Sequence, residues 1–269
     1  MAGQNPVSRF GRTLRAQDLH LSCFVQTPDL HLVEAMARTK AESLVLDAQH
    51  GMFTEDSIAA CVGAAALWET PCLVRIPVDA FATASRVLDF GAAGVICPMV
   101  NTPEAARRLV AHVKYPPLGE RSWGPRRASA LGSVAGIGYL DFANECTFAF
   151  AMIETAEAVA NIEAIAATPG LDGVFVGPVD LTVSLSAGRA IDTNAPETLA
   201  AIDTVAAAAA AAGIVAGIFT LSVDQALDFR ARGYRFVALG QDSFFLTTGL
   251  DRAFTEARER FAQTGGARG

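Results

Sequence analysis

The stretch FAFAMIETAEAVANIEAIAATPGLDGVFVGPVDLT, residues 148–182, contains the structural unit that is repeated along the whole chain. It begins with an apolar run at 148–153, continues through an Ala-rich helical pattern at 155–167, and reaches a second apolar run at 173–176. Near-continuous apolar runs are typical of parallel strands that are buried on both faces. The stretch therefore predicts a strand, a helix and a second strand in one parallel sheet.

Apolar runs and helical patterns alternate on both sides of this unit. The predicted strands lie near 20–25, 43–47, 72–76, 93–97, 148–153, 173–176, 214–219 and 235–239. The predicted helices lie at 29–39, 54–68, 80–90, 103–113, 155–167, 196–212, 222–232 and 243–262. Eight strands that each precede a helix predict an α/β fold, the (β/α)8 TIM barrel. We expect residues 1–269 to form a single barrel domain, with its core at about 18–262 and short frayed termini.

One connection is longer than the others. Residues 114–135 separate the fourth and fifth predicted strands and contain Trp123 and three arginines. Connections longer than about 12–15 residues in compact domains are usually functional or disordered. We expect this one to be an ordered active-site loop.

The composition excludes several classes of protein. Of the 269 residues, 51% are hydrophobic and 18% are charged, which excludes intrinsic disorder. The net charge of −7 argues against nucleic-acid and membrane-surface partners. The five cysteines form no C-x-x-C pair and are expected to be buried, reduced thiols. Neither a secretory signal nor an apolar run of about 20 residues is visible, so a cytoplasmic protein is expected.

Two carboxylates follow neighbouring predicted strands, at the end of a barrel where active sites lie. Glu154 comes directly after the run at 148–153, and Asp180 follows the run at 173–176. An unpaired charge next to an apolar strand is costly, so the pair predicts an oxygen-ligand site for Mg²⁺ or Mn²⁺. The alternative for Asp180 is to cap a short helix at 180–186.

A histidine, an arginine and a turn also occupy predicted strand ends. His50, in DAQHG after the second strand, is a candidate general base, although it could equally be an ordinary loop histidine. Arg75 lies on an apolar strand and must pair with either a protein carboxylate or a ligand oxyanion. The turn Gly177-Pro178-Val179-Asp180 precedes a helix and suits a substrate carboxylate. The remaining histidines are expected at the surface or the core edge: His20, His31 and His112.

The segments MIETAEAVANIEAI and GLDGVFVGPVDLT resemble the metal-dependent class II pyruvate aldolases of the HpcH/HpaI family. LVLDAQHG, LVRIP, VLDFGAAGVICPMVNTPEAA, KYPPLGERSWG and VALGQD agree with it, and the resemblance spans about 20–255 in the family's order. It implies a (β/α)8 barrel that is a homohexamer, a dimer of trimers, with its last helix exchanged between subunits. The implied reaction cleaves or forms 4-hydroxy-2-oxo acids, with pyruvate or a close analogue and an aldehyde as products, through a metal-stabilised enolate.

The resemblance also implies roles for five side chains. Glu154 and Asp180 would hold the divalent metal, Mg²⁺ or Mn²⁺, with Co²⁺ and Zn²⁺ as further candidates. Arg75 would stabilise the enolate oxygen of pyruvate. His50 would move the proton, and Asp89 would pair with this histidine across a subunit boundary.

Four further positions follow from the same resemblance. The turn Gly177-Pro178-Val179-Asp180 would receive the pyruvate carboxylate, and Arg121 would lie at the rim of the site or at a subunit contact. Gln49, counted with the substrate-binding residues, stands where many members have Glu. Met152 stands where many have Gln. Loss of the carboxylate at position 49 reduces the negative charge near the metal and leaves the substrate open.

Other functions compete with the aldolase interpretation. A CoA-ester lyase of the citrate-lyase-β or malyl-CoA type would need a basic surface, for which Arg121, Arg126 and Arg127 are candidates. Oxaloacetate decarboxylation would pass through the same enolate. A catalytically inactive barrel used for binding is disfavoured by the retained polar residues at the strand ends. No lysine ends a predicted strand, which disfavours a Schiff-base aldolase.

Overall fold

In the computed structural model, which describes residues 6–16 and 18–265, eight parallel strands close into a barrel. The strands pair in sequence order, and the last pairs back to the first. The bounds are β1 (His20–Val25), β2 (Ser43–Asp47), β3 (Cys72–Arg75), β4 (Gly94–Cys97), β5 (Phe148–Ile153), β6 (Gly173–Val176), β7 (Val215–Thr220) and β8 (Phe236–Gln241). The predicted (β/α)8 barrel is confirmed.

The helices surround this barrel, and the predicted segment 155–167 is divided into two short helices at Asn161. The bounds are α1 (Pro6–Ala16), α2 (Leu30–Ala37), α3 (Glu55–Ala66), α4 (Phe81–Asp89), α5 (Pro103–Val113), α6 (Arg126–Gly132), α7 (Gly138–Cys146), α8 (Ala156–Ala160), α9 (Ile162–Ala166), α10 (Pro178–Leu185), α11 (Pro196–Ala212), α12 (Val223–Ala231) and α13 (Asp242–Gly265). None of the described helices has the length and hydropathy to cross a membrane.

Side-chain caps explain where several helices begin. Thr54 and Ser57 form a reciprocal capping box at the start of α3. The Thr102 hydroxyl accepts the Ala105 N–H at the start of α5, and Pro103 occupies the first turn of that helix. These caps satisfy backbone N–H groups that have no partner within the helix.

The first helix closes the amino-terminal end of the barrel, so the expectation of a frayed segment before residue 18 is wrong for residues 6–16. Phe10 of α1 is fully buried, with its ring centroid 5.2 Å from that of Phe148 and 5.9 Å from that of Phe236. Its helical spacing from Val7 and Leu14, which are also buried, is the signal that could have found this helix. Residues 1–5, 17 and 266–269 lie outside the described part of the chain.

His20 lies within this buried end, which corrects the expectation of a surface or core-edge position. Its side chain is only 1% exposed, and its Nε2 lies 2.9 Å from the Ser43 hydroxyl. The ring packs edge-on against Phe10 at 5.1 Å. Burial, with a smaller contribution from the charge of Arg9, lowers the pKa of His20 from 6.5 to about 4. The imidazole is therefore kept neutral in the folded protein.

We expect His20 to make stability depend on pH between 6.5 and 4. The folded-state pKa lies below the ordinary value, so the unfolded chain takes up the proton first as the pH falls. The stability present above pH 6.5 is lost as the pH falls to 4, by up to about 3 kcal/mol. In urea unfolding with EDTA, the stability of wild type relative to His20→Gln should decline over this range. His31→Gln is the matched control, because position 31 is exposed. A difference in unfolding free energy between wild type and His20→Gln that stays constant over this pH range would contradict the assignment.

The long connection is ordered, as expected, but part of it is helical and none of its residues lines the cavity at the carboxyl ends of the strands, so the expectation of an active-site loop is wrong. Its second half forms α6, and α7 follows before β5 begins. Tyr115, Trp123 and Tyr139 pack as an aromatic cluster with ring centroids 5.8–6.4 Å apart. The connection and α7 therefore form an additional layer outside the barrel, in which Tyr115 and Tyr139 are buried and Trp123 remains about half exposed at 55%.

Lys114 anchors this layer to the amino-terminal end of the strands. Its Nζ donates to the carbonyl oxygens of Asn144 at 3.0 Å and Thr147 at 2.6 Å, and lies 2.8 Å from Oδ2 of Asp172. The lysine is 1% exposed. All three of its N–H groups are thus used in a structural contact, far from the strand ends where barrel chemistry occurs.

All five cysteines are buried and free, which confirms the prediction for the thiols. Burial raises the pKa of the Cys23 and Cys97 thiols to about 12, so neither is a reactive thiolate near neutral pH.

Candidate active site

A cavity of about 180 Å³ lies at the carboxyl ends of the strands. The candidates predicted from the sequence that meet there are His50, Arg75 and the turn at 177–180. The full lining comprises Phe24, Gln26, His50, Arg75, Met152, Gly177, Pro178, Val179, Asp180, Phe219 and Gln241. No lysine is part of this lining, so the cavity offers no Schiff-base nucleophile.

Arg75 is held in the cavity by a carboxylate of the neighbouring strand. Asp47 and Arg75 are paired in the register of β2 and β3. The Arg75 Nε and Nη2 atoms donate to the two Asp47 carboxylate oxygens at 2.9 and 2.7 Å. Arg75 also lies over the Phe24 ring, 4.8 Å from its centroid. The sequence left two possible partners for Arg75, a protein carboxylate or a ligand oxyanion. In the structure its partner is a protein carboxylate.

Asp47 is a site residue that the sequence reasoning did not assign. Its side chain is fully buried. Burial opposes ionisation of this carboxyl, but hydrogen bonds and charge from Arg75 outweigh burial and lower its pKa. The pairing keeps both groups charged. The guanidinium is thereby a fixed positive charge at the cavity wall.

The same carboxylate shapes the loop that carries His50. Asp47 Oδ1 accepts the backbone N–H groups of Gln49 at 3.1 Å and His50 at 3.2 Å. A Cβ atom at Gly51 would collide with the Asp47 carbonyl oxygen, so this close turn requires glycine. The turn places His50 on the cavity, whereas Gln49 does not line it. The Gln49 Oε1 atom is buried and has no partner within the described chain.

Glu154 lies deep beside the cavity, next to the turn that follows β6. It is 1% exposed, and its Oε2 accepts the Met99 N–H at 3.0 Å. A Cβ atom at Gly177 would come within 2.7 Å of its Oε1, so the close approach of this turn requires glycine. Burial raises the pKa of Glu154 to about 7, and the charge of Asp180 adds to the rise. The Glu154 and Asp180 carboxyl groups are therefore close enough to interact directly, and the positive charge of Arg75 only partly offsets the rise in the pKa of Glu154.

These two carboxylates fit a divalent cation. A buried carboxyl with a raised pKa, beside a second carboxylate, is stabilised by a positive charge. Oxygen donors suit Mg²⁺ and Mn²⁺, which usually keep positions for water or substrate. Within residues 6–16 and 18–265, no group of three or more His, Cys, Asp or Glu side chains is placed to hold a metal. The chain would thus supply two ligands, Glu154 and Asp180.

The start of α10 presents free backbone N–H groups to the same cavity. Pro178 has no N–H group, and the first intrahelical hydrogen bond runs from Leu181 to the Gly177 carbonyl. The Val179 and Asp180 N–H groups are left for a ligand, at the positive end of the helix. No side chain caps α10, so the alternative role of Asp180 as a cap is not observed.

Asp89 and Arg121 are brought together, but away from the cavity of this chain. Arg121 Nη2 donates to Asp89 Oδ1 at 2.6 Å, and the guanidinium lies 4.6 Å from the Tyr115 ring centroid. Arg121 is 3% exposed, and neither residue lines the cavity. Arg121 is thus a buried structural partner of Asp89 in this chain, rather than a residue at the rim. The pairing of Asp89 with His50 across a subunit boundary stays a prediction.

The basic surface that a CoA-ester lyase would need is not assembled. Arg121 is buried against Asp89. Arg127 extends over Gly63 of α3, where a Cβ atom would collide with its guanidinium. Neither these two arginines nor Arg126 lines the cavity. The observation that favoured this alternative is therefore absent from the site.

Four lining residues were not found from the sequence: Phe24, Gln26, Phe219 and Gln241. The signal was available for the two glutamines. Gln26 directly follows β1 and Gln241 ends β8. Both positions obey the strand-end rule that identified the other candidates.

Comparison with known proteins agrees with this geometry. A model of the HpcH/HpaI aldolase/citrate lyase family matches residues 20–248. The chain is 38% identical to a hydroxypyruvate/pyruvate aldolase of Rhizorhabdus wittichii, over 88% of this chain and 94% of the relative. It is 37% identical to a 4-hydroxy-2-oxovalerate aldolase of Novosphingobium aromaticivorans, over 98% and 99%. The crystal structure of an HpcH/HpaI aldolase/citrate lyase family protein from Burkholderia cenocepacia aligns with a TM-score of 0.85 and 30% identity, covering 93% and 99%.

Proposed function

The chain belongs to the HpcH/HpaI aldolase/citrate lyase family, and from this premise we propose that it is a divalent-metal-dependent class II pyruvate aldolase. It cleaves and forms 4-hydroxy-2-oxo acids, with pyruvate or a close analogue and an aldehyde as the other reactants. The observation that supports this function best is the convergence of Arg75, His50 and the Glu154–Asp180 pair at one cavity.

The chain's own groups bind and stabilise the pyruvate portion. Glu154 and Asp180 would hold the cation, which when bound would act as a Lewis acid on the 2-oxo group. The Val179 and Asp180 N–H groups donate hydrogen bonds to the carboxylate of pyruvate. Arg75, fixed by Asp47, stabilises the negative charge that develops on the enolate oxygen.

His50 moves the proton of the aldol step. In cleavage it takes the proton of the 4-hydroxyl group while the C3–C4 bond breaks, which releases the aldehyde and leaves the electron pair on the pyruvate enolate. In synthesis the C3–C4 bond forms, and the His50 imidazole returns a proton to the oxygen of the new hydroxyl group. Asp89 of a neighbouring subunit would orient the imidazole, since its side chain keeps 25% exposure.

A homo-oligomer, a hexamer built as a dimer of trimers, completes the proposal. The 24-residue helix α13 exposes large apolar side chains that a second copy would cover: Phe245, Leu246, Leu250, Phe254 and Phe261. A solution mass by light scattering equal to one chain would contradict this part of the proposal.

The reaction class is tested by product analysis. With Mn²⁺, the protein is expected to release pyruvate from 4-hydroxy-2-oxovalerate, measured with lactate dehydrogenase and NADH. Malyl-CoA is the comparison substrate, because a CoA-ester lyase would prefer it. Cleavage of malyl-CoA without release of pyruvate from the oxo acid would replace the proposed function by the lyase.

A further inference from the structure

The cavity has a wall that the reaction steps above leave unused. The pyruvate-binding groups lie on β3, β5 and β6, whereas β1, β7 and β8 contribute Phe24, Gln26, Phe219 and Gln241. Because pyruvate binds to the groups of β3, β5 and β6, the aldehyde contacts the residues contributed by β1, β7 and β8. This inference rests on the proposed function and concerns which aldehyde the site accepts.

A β-bulge directs Gln241 into the cavity. The register of β1 and β8 advances by two residues from Ser22 to Phe24, but by three from Ala238 to Gln241. The bulge contains Gly240, which has a φ of +73°. A Cβ atom added at this position would lie 2.7 Å from the Phe245 ring. Bulges next to active sites change the direction in which a side chain points. Here the bulge places the Gln241 amide on the face of β8 that the regular strand alternation would give to Gly240.

Hydrogen bonds fix the orientation of the Gln241 amide. Its Nε2 donates to the Ser243 hydroxyl at 3.2 Å, so its Oε1 remains as an acceptor for a ligand. Gln26 lies two residues after Phe24, on the same face, and its backbone N–H is held by Asp242 Oδ2 at 3.1 Å. Its side-chain amide has no hydrogen-bond partner in the described part of the chain.

The charge of this wall restricts the acceptor further. Arg75 is the one lysine or arginine among the lining residues, and Asp47 already pairs with it. An aldehyde with a carboxylate would find no counter-charge besides Arg75, which stacks on Phe24 and is already engaged by Asp47 and by the enolate oxygen. We propose that Gln26 and Gln241 form the acceptor subsite and select neutral aldehydes with a hydroxyl group, which the two amides bind by hydrogen bonds.

A competition between two aldehydes of the same shape tests the proposal. L-lactaldehyde and 2-methylpropanal differ by a hydroxyl in place of a methyl group. With pyruvate and Mn²⁺, wild type is expected to favour lactaldehyde in kcat/KM by about tenfold, because the analogue leaves the two amides at the cavity wall without a hydrogen-bond partner. Gln241→Leu and Gln26→Leu should each lower this ratio by roughly tenfold. The ratio is measured within one preparation, so loss of folded protein cancels.

Gln225→Leu is the matched control. Its amide is bonded to Thr220 and Asn194 outside the lining of this cavity, and the ratio should stay at the wild-type value. Exchange of pyruvate methyl protons in wild type shows whether a negative result contradicts the acceptor subsite alone or the proposed function as well. Metal-dependent exchange with a ratio near one, or with a ratio that neither leucine variant changes, overturns the acceptor subsite alone. Absence of exchange overturns the proposed function and the subsite with it.

Discussion

Arg75→Ala is expected to lower kcat for aldol cleavage by about 10²–10³, the usual loss when one fixed electrostatic stabiliser of a transition state is removed. The guanidinium is held by the two hydrogen bonds that it donates to Asp47, so no reorganisation is needed when charge develops on the enolate oxygen. Steady-state kinetics with saturating Mn²⁺ measures the effect. A kcat within a few-fold of wild type would exclude this role for Arg75.

Removal of Arg75 also leaves the buried Asp47 carboxylate without a compensating charge, which itself destabilises the fold. Arg75→Lys separates the two effects. Lysine keeps the positive charge but cannot reproduce the two-point contact with Asp47, so kcat should fall while the charge of the carboxylate remains compensated. A thermal unfolding curve for each variant shows whether the loss of activity follows loss of folded protein.

Glu154→Gln combined with Asp180→Asn is expected to abolish Mn²⁺ binding in isothermal titration calorimetry, with a Kd weaker than about 1 mM. Glu154 and Asp180 are the two proposed carboxylate ligands, so the double variant retains neither of them. The amides keep the volume of the carboxylates. Because they also remove the repulsion between the buried Glu154 and the neighbouring Asp180, the metal-free fold should be at least as stable as wild type.

Glu157→Gln is the control for this measurement. Glu157 lies three residues after Glu154, on the exposed side of α8, and its substitution removes one of the two negative charges that the double variant loses. Mn²⁺ binding to this variant should match wild type. Tight binding by the double variant would show that the cation, if one is used, is held elsewhere.

The barrel could be predicted from the sequence because its strands are apolar runs that alternate with helical patterns, and several of these runs have a polar residue at or just after their carboxyl end. Glu154, Asp180, Arg75 and His50 were found by that rule, since parallel strands bring their carboxyl ends to one face. The role of Asp47 could not be found in the same way. Its assignment depends on the register of β2 and β3, which sets it directly opposite Arg75.

Three further features depend on tertiary contacts between distant segments. The packing of Phe10 under the barrel is decided by aromatic side chains that lie far away in the chain. Arg121 pairs with Asp89 only because the long connection folds back onto α4. The bulge at Gly240 is a mismatch between two strands, and one strand read alone does not reveal it.

The most direct test of the central claim is exchange of the pyruvate methyl protons for deuterium, followed by NMR. It requires an enolate-forming site and no knowledge of the aldehyde. Exchange should occur with Mn²⁺ or Mg²⁺, stop with EDTA, and fall by about 10²–10³ in Arg75→Ala. Exchange that persists in EDTA would contradict the metal site, and no exchange with any divalent metal would contradict the pyruvate aldolase itself.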